Sequence, residues 1–133
     1  IIDQFPPDRQ EQIRIMLANT LKCIITQALC KRKDKGRVAA FEILYVHSAV
    51  ANLIREKKTF QLPSVIQTGK KYGMQLLDEH LWNLYEQGIV NAEDCVDRSR
   101  HPGGMQDKID AHRRGMRLDE MEKPGGEEEK PAA

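Results

Sequence analysis

The sequence lacks several features that would place it in a familiar class. Its 133 residues carry 21 Lys and Arg against 20 Asp and Glu, a formal charge of +1, whereas electrostatic nucleic-acid binders usually show a basic excess. No apolar run approaches the ~20 residues of a membrane-spanning helix. The three cysteines include no C-x-x-C pair, which argues against a disulfide framework or a zinc ribbon. We therefore expect a cytoplasmic chain with no membrane span and no nucleic-acid partner.

The usual catalytic motifs are missing as well. There is no G-x-x-x-x-G-K-[ST] phosphate loop, no G-x-G-x-x-G and no H-E-x-x-H. We accordingly expect no catalytic residue, no bound cofactor and no metal site in this chain. For Cys23 and Cys30 we favour packing over metal binding. For His80 we favour a place on a helix surface or at an interface over a role as a base.

The apolar pattern predicts a helix and two strands in the first part of the chain. Residues 8–11 have the D-x-x-E form of a capping box, which predicts a helix start. Residues 24–29 suit the end of that helix or a strand equally well. After a polar turn, residues 37–44 are apolar at nearly every position, which favours a strand covered on both faces. The apolar residues that continue the helix are Ile13, Met16, Leu17, Leu21 and Ile24.

From residue 48 as far as Arg100 the pattern predicts short helices. Ser48 is expected to cap the first of them, and Pro63 to begin the second. The third is amphipathic and is expected to end at Gly88, while Asn91 is expected to cap the fourth. The apolar positions of the third helix are Met74, Leu77, Leu81, Leu84 and Tyr85.

Three charged features have a structural and a functional interpretation. Glu42 shares a strand face with Ala40 and Leu44, where a carboxylate is costly unless it is paired or at the sheet end. It is a buried ion-pair partner, a subunit-interface group or the exposed end of the strand. Arg55 complements a helix dipole, and on the residues alone we favour that role over presentation to a neighbouring subunit. The basic segment 31–37 contains no aromatic residue for base stacking, which favours a solvated turn over a phosphate patch.

Four stretches of the chain resemble the motifs of one family. Residues 36–44 read GRVAAFEIL, similar to the family's G-R-V-A-A-x-E-I segment. Residues 49–56 read AVANLIRE, similar to its A-I-R-N-L-I-R-E signature. Residues 66–78 resemble its I-Q-T-G and G-M-Q-T-L-D run, and residues 1–6 resemble the helix end after its histidine box. The family is that of the PilT-type ATPases, which retract type IV pili during twitching motility. The resemblance covers about residues 1–110, in order and with the family's spacing.

The resemblance implies an α/β fold, namely the C-terminal part of a RecA-like ATPase core with about two strands, followed by a cluster of short helices. Residues 1–47 would be the end of that core and residues 48–112 a C-terminal helical subdomain. Residues 113–133 are expected to be a disordered tail, because they are poor in large apolar residues. The exposed apolar start of the chain also suggests that it is a fragment of a longer protein.

The resemblance further implies what the parent protein does. It would be a homo-hexamer that binds ATP and Mg through segments upstream of this chain and hydrolyses ATP to drive pilus retraction. It would lie at the inner face of the bacterial membrane and contact the inner-membrane platform protein of the pilus. The chain alone lacks the phosphate loop and is expected to be inactive as an ATPase. Its part would be to transmit nucleotide-driven motion between subunits.

The resemblance assigns a retraction motif to five consecutive residues of this chain. Within the same signature, Ala51 replaces the family's Arg, and in the strand Phe41 stands where many relatives carry His. Arg37 and Glu42 match the family and are expected to form an interface or packing pair. The residues of the retraction motif are Asn52, Leu53, Ile54, Arg55 and Glu56.

Two alternatives stay open at this point. The chain is either part of such a motor or a stand-alone, non-catalytic α+β interaction module that contacts nucleic acid through residues 31–37. If the chain is part of a motor, that motor is either the retraction ATPase itself or a close relative, namely an accessory retraction ATPase or a secretion ATPase.

Overall fold

The computed structural model of the chain describes residues 1–115. It has the mixed α/β character that the sequence predicts, with one α-helix, a two-stranded sheet and then five further α-helices in that range. The elements are α1 (Pro7–Thr20), β1 (Cys23–Lys31), β2 (Arg37–Tyr45), α2 (Ser48–Arg55), α3 (Leu62–Thr68), α4 (Leu77–Glu86), α5 (Ala92–Arg98) and α6 (Pro102–Arg113). Of the expected tail, residues 116–133 lie outside the described residues. Between residues 1 and 115, no helix combines the length and the apolar character that a bilayer span requires.

The sheet is an antiparallel hairpin of β1 and β2. Its register pairs Cys23 with Tyr45 and Lys31 with Arg37, so the ambiguous segment 24–29 is strand, in keeping with its β-branched isoleucines and threonine. One face packs against the helices, whereas the other leaves Ile25 63% exposed. On β2 the same face is half-buried at Ala39, Phe41 and Ile43, so within the described residues the expected cover on both faces of β2 is met in part.

Two apolar clusters hold the helices to the hairpin. The first joins the packed sheet face to α4, α5 and α6, and its fully buried members are Cys30, Ala40, Leu81, Val90, Cys95 and Ile109. The second joins α1, α2 and α3 around the end of β2. Its buried members are Ala18, Leu44, Val50, Ala51, Ile54, Ile66 and Met74.

Several expected helix starts are wrong in detail. α1 begins at Pro7 with no side-chain cap, because proline already fixes the first helical φ and needs no partner for a missing N–H. The residue that caps α2 is His47, whose Nδ1 accepts from the Ala49 N–H across 3.3 Å, so Ser48 is helical. α4 begins only at Leu77. On α1, Met16 is 53% exposed because this helix packs on one side only.

Helix α6 lies mostly within the expected helical subdomain of residues 48–112, but no local pattern in the sequence predicts it. Its first turn contains Gly103 and Gly104, which are poor helix formers, yet Pro102 is well suited to a first helical position. The helix forms because Met105, Ile109 and Ala111 are buried, which shows tertiary packing overriding local propensity.

Candidate functional site

The five residues to which the resemblance assigns the retraction motif, residues 52–56, lie at the end of α2, against α1; their part in retraction stays a prediction. Ile54 is buried, Leu53 is half-buried, and Asn52, Arg55 and Glu56 are exposed. The motif therefore has a packing side that fixes α2 on the second apolar cluster and a polar side that faces outward.

Arg55 connects the two helices through both ends of its guanidinium group. Its Nη1 donates to Asn52 Oδ1 at 2.7 Å and its Nη2 donates to Asn19 Oδ1 at 2.6 Å. Both acceptors are neutral amides, and Arg55 forms no ion pair with any residue between 1 and 115. The guanidinium is thus held in one orientation while its positive charge is not neutralised by this part of the chain.

A second arginine connects the same two helices from the α1 side. Arg14 Nη1 donates to the Ile54 carbonyl at 3.4 Å, one of the carbonyls that a helix end leaves without an intrahelical partner. A cation there also complements the helix dipole. The Arg14 Nε is buried and has no hydrogen-bond partner, which costs about 1–3 kcal/mol of the folding free energy. Arg14 was not singled out in the sequence, because only the packing of α1 on α2 brings it to the motif.

The end of α2 has an unusual backbone. Lys57 adopts φ +63°, a left-handed conformation that glycine normally supplies. The Lys58 N–H bonds to the Leu53 carbonyl at 2.8 Å and the Lys57 N–H to the Ile54 carbonyl at 3.3 Å, which is the Schellman pattern. Two carbonyls of the retraction motif are therefore used to end its helix.

Glu42 is an ion-pair partner within the chain. Its Oε1 lies 3.0 Å from Arg100 Nη2 and its side chain is 18% exposed, while its Oε2 accepts from the Leu77 N–H at 3.3 Å. The carboxylate thus joins β2 to the start of α4 and to the loop after α5. Of the three interpretations of Glu42, the structure supports the ion-pair partner, with the carboxylate half-buried and not fully buried.

The structure does not bring Arg37 and Glu42 together. They stand five residues apart on β2, which is about 16 Å along a strand, and the odd spacing places them on opposite faces. A contact of either residue with a neighbouring subunit stays a prediction. Arg100, the actual partner of Glu42, lies 58 residues away in sequence, and no local pattern pointed to it.

Asp78 extends this ion pair into a network. Its Oδ1 accepts from the Arg100 N–H at 2.8 Å, and its Oδ2 lies 3.2 Å from both the backbone nitrogen and Nδ1 of His101. A cavity of about 360 Å³ opens beside these groups. Its apolar wall includes Ile24, Leu44, Leu62 and Ile66.

At the outer edge of β2, Phe41 and Ile43 bind α4 and the segment that leads into it. Gln75 exchanges backbone hydrogen bonds with Ile43, at 2.8 and 3.1 Å, and its side-chain amide donates to the Phe41 carbonyl at 2.9 Å. His80 Nδ1 accepts from the Phe41 N–H at 3.0 Å. His80 therefore lies on the inner side of α4, where it binds a strand backbone.

The cysteines are free thiols in the described part of the chain. Cys95 is fully buried and its Sγ donates to the Leu81 carbonyl at 3.3 Å. Burial, reinforced by the nearby Cys30, raises the pKa of Cys95 to about 11. Burial also raises the pKa of Cys30. These thiols pack rather than react, and no group of three metal-binding side chains is found among residues 1–115.

Comparison with known proteins gives relatives that share most of this chain. No family model matches it. A twitching motility protein of Neisseria gonorrhoeae is 43% identical over 106 residues, 79% of this chain and 28% of the relative. The type IV pilus retraction ATPase PilT of Pseudomonas aeruginosa is 40% identical over 102 residues, 77% of this chain and 30% of the relative. The chain thus spans under one third of the length of these relatives.

The solved structures agree with the sequence relatives. The crystal structure of a pilus retraction motor PilT with bound ADP matches with a TM-score of 0.67 and 40% identity, over 77% of this chain and 28% of that one. The Legionella pneumophila ATPase DotB matches with a TM-score of 0.55 at 22% identity, over 71% and 26%, and shows the fold alone.

The hairpin and its helices therefore have the fold of the C-terminal part of secretion-type ATPases. The two-stranded sheet and the helices that follow it are thus one part of a larger fold. In sequence and in fold the chain matches the C-terminal portion of the PilT-type twitching motility proteins, and the resemblance seen in its motifs is confirmed. A stand-alone interaction module is not favoured.

Proposed function

We propose that the chain is the C-terminal portion of a hexameric motor that hydrolyses ATP to retract type IV pili. Other segments of the motor bind ATP and Mg, and this portion transmits their motion between subunits. The observation that carries the proposal is the contact between α1 and α2 at Arg55. Two relatives named for retraction or twitching motility support the assignment of the motor.

The geometry at Arg55 suits a contact with a neighbouring subunit. A guanidinium group fixed by Asn19 and Asn52 has already lost most of its rotational freedom, so less entropy is lost when it binds a carboxylate of another subunit. Because its charge has no counter-ion within residues 1–115, such a contact would not have to break an existing ion pair. A helix pair with a fixed charged group can then pass a rigid-body movement from one subunit to the next.

The setting of the motor follows from the same proposal. It works at the inner, cytoplasmic face of the bacterial membrane, where the inner-membrane platform protein of the pilus is its partner. The isolated chain is proposed to be inactive as an ATPase, because the groups that hold phosphates and magnesium are supplied by other segments.

The test replaces Arg55 in the full-length protein that contains this segment. We expect Arg55→Ala to leave hexamer assembly intact and to reduce retraction strongly, and Arg55→Lys to restore little of it, because lysine lacks the planar fork. Arg9→Ala is the matched control, since Arg9 is an exposed arginine on α1 without an ion pair in the described residues. The readouts are size-exclusion chromatography, ATP turnover and twitching on agar.

Two results would overturn the proposal. Normal twitching of the Arg55→Ala strain would exclude a part for this group in retraction. Magnesium-dependent ATP turnover by the isolated 133-residue chain would show that the chain is not merely a transmitting segment.

A further inference from the structure

The turn between β1 and β2 concentrates positive charge on a chain whose net charge is only +1. Residues 31–37 include five basic side chains and one carboxylate, Asp34. Asp34 forms an ion pair with Arg32, with 2.9 Å between Asp34 Oδ1 and Arg32 Nε. Within the described residues the other four cations form no ion pair. These four, together with Arg98 on α5, are called the basic rim: Lys31, Lys33, Lys35, Arg37 and Arg98.

The backbone under the basic rim is firmly anchored. The Lys33 N–H bonds to the Ile89 carbonyl at 2.9 Å, and Arg32 forms a β-bridge with Val90. The Lys31 N–H donates to Asp94 Oδ2 at 2.6 Å. Because Val90 is completely buried, the turn is fixed to the first apolar cluster. The basic side chains therefore extend from an ordered base, which lowers the entropy lost on binding.

An open groove of about 650 Å³ lies within the basic rim. Three of its lining residues are the cations Lys31, Arg37 and Arg98, and Asp94 is the one carboxylate among the lining residues. Leu29, also part of the lining, is 44% exposed. The groove thus combines a net positive edge with an apolar side chain, a combination suited to a ligand that is anionic and partly apolar.

We propose that the basic rim binds the surface of a membrane that contains anionic phospholipids. Mobile lipid headgroups can gather beneath several cations at once, and each basic residue near such a surface adds to the attraction. A nucleic acid fits less well, because base stacking needs an open aromatic ring. Tyr85, which lies 6.0 Å below Lys33 Nζ, packs against Trp82 instead. This inference goes beyond the proposed function and does not depend on retraction or on ATP.

The experiment measures binding of the 133-residue chain to lipid vesicles by co-sedimentation. One set of vesicles is phosphatidylcholine alone and the other is an equal mixture of phosphatidylcholine and phosphatidylglycerol. The rim variant combines Lys33→Gln, Lys35→Gln and Arg37→Gln. Its matched control, with the same change of charge, combines Lys57→Gln, Lys58→Gln and Lys71→Gln. Circular dichroism verifies that both variants keep the fold.

We expect binding to the acidic vesicles only, with a loss at high salt because screening shortens the range of the attraction. The partition coefficient of the rim variant should fall on the order of 100-fold, about fivefold per lost charge, and that of the control variant much less. Equal binding to both kinds of vesicle, or an unchanged rim variant, would overturn the proposal. So would tighter binding to a DNA or RNA oligonucleotide than to the acidic vesicles at the same salt concentration.

Discussion

Arg55 on α2 and Asn19 on α1 are joined by a hydrogen bond of 2.6 Å between Nη2 and Oδ1. The bond spans 36 residues of sequence and joins the retraction motif to the helix that precedes the sheet. The exposed side of the motif is thus determined by α1 as well as by its own helix.

The first prediction concerns this bond. Asn19→Ala should lower the free energy of unfolding by about 1 kcal/mol. A hydrogen bond to a charged group contributes more stability than one between neutral groups, but water replaces part of an exposed bond when it is lost. A double-mutant cycle with Arg55→Ala, measured by urea denaturation, removes the difference in helix propensity between Asn and Ala. A coupling free energy of zero would show that the two side chains do not interact in solution.

The second prediction concerns Lys57, which ends α2 in a left-handed conformation. Lys57→Gly should raise the free energy of unfolding by about 0.5–1 kcal/mol, because glycine adopts φ +63° without a steric penalty. Lys58→Gly is the control, since Lys58 has φ −97°; glycine there relieves no strain, adds freedom to the unfolded chain and removes the exposed ion pair of Lys58 with Glu56. Thermal denaturation followed by circular dichroism should move the two variants in opposite directions.

The third prediction compares two glycines. A Cβ at Gly69 would overlap Met74 Sδ and lie 3.0 Å from the Val65 carbonyl, so Gly69→Ala should destabilise the fold by about 1–3 kcal/mol. A Cβ at Gly104 in α6 meets nothing within 4 Å, and Gly104→Ala should stabilise by about 0.5–1 kcal/mol. Urea midpoints of both variants measure these changes, and a stable Gly69→Ala protein would contradict the close approach of Met74.

The fourth prediction follows from the raised pKa of Cys95. The native thiol keeps its proton until about pH 11, from an ordinary pKa of 9.0, so above pH 9 the unfolded chain loses that proton first. The free energy of unfolding should therefore fall between pH 9 and 11, by on the order of 2 kcal/mol. Cys95→Ala should remove much of this dependence, although Cys30, also buried, contributes in the same direction. Equal pH profiles for the two proteins would contradict the protonated, buried state of Cys95.

The sequence predicted those features that depend on local pattern. The strand at residues 37–44, the helix beginning near Pro63 and the amphipathic helix ending near Gly88 are all present, because apolar periodicity and turn residues determine them locally. The family could also be recognised from the sequence, since its motifs occur in the family's order and with the family's spacing.

Features that depend on distant contacts could not be read from the sequence. Glu42 stood out as a carboxylate in an apolar strand, but its partner Arg100 follows 58 residues later. Helix α6 could not be predicted from helix propensity, because its first turn contains two glycines. It forms because residues such as Ile109 are buried. Arg14 and Asn19 belong to no recognisable motif. Arg14 reaches the Ile54 carbonyl and Asn19 reaches Arg55 only because α1 packs on α2.

Gln75 and His80 occupy one edge of the hairpin, the outer edge of β2. Along the outer edge of β1, residues 23–30 form no backbone hydrogen bond with anything else in the described part of the chain. A strand that joins the hairpin at β1, whether from the same polypeptide or another, meets free backbone groups there. A strand that joins at β2 has to displace Gln75 and His80 from Phe41 and Ile43.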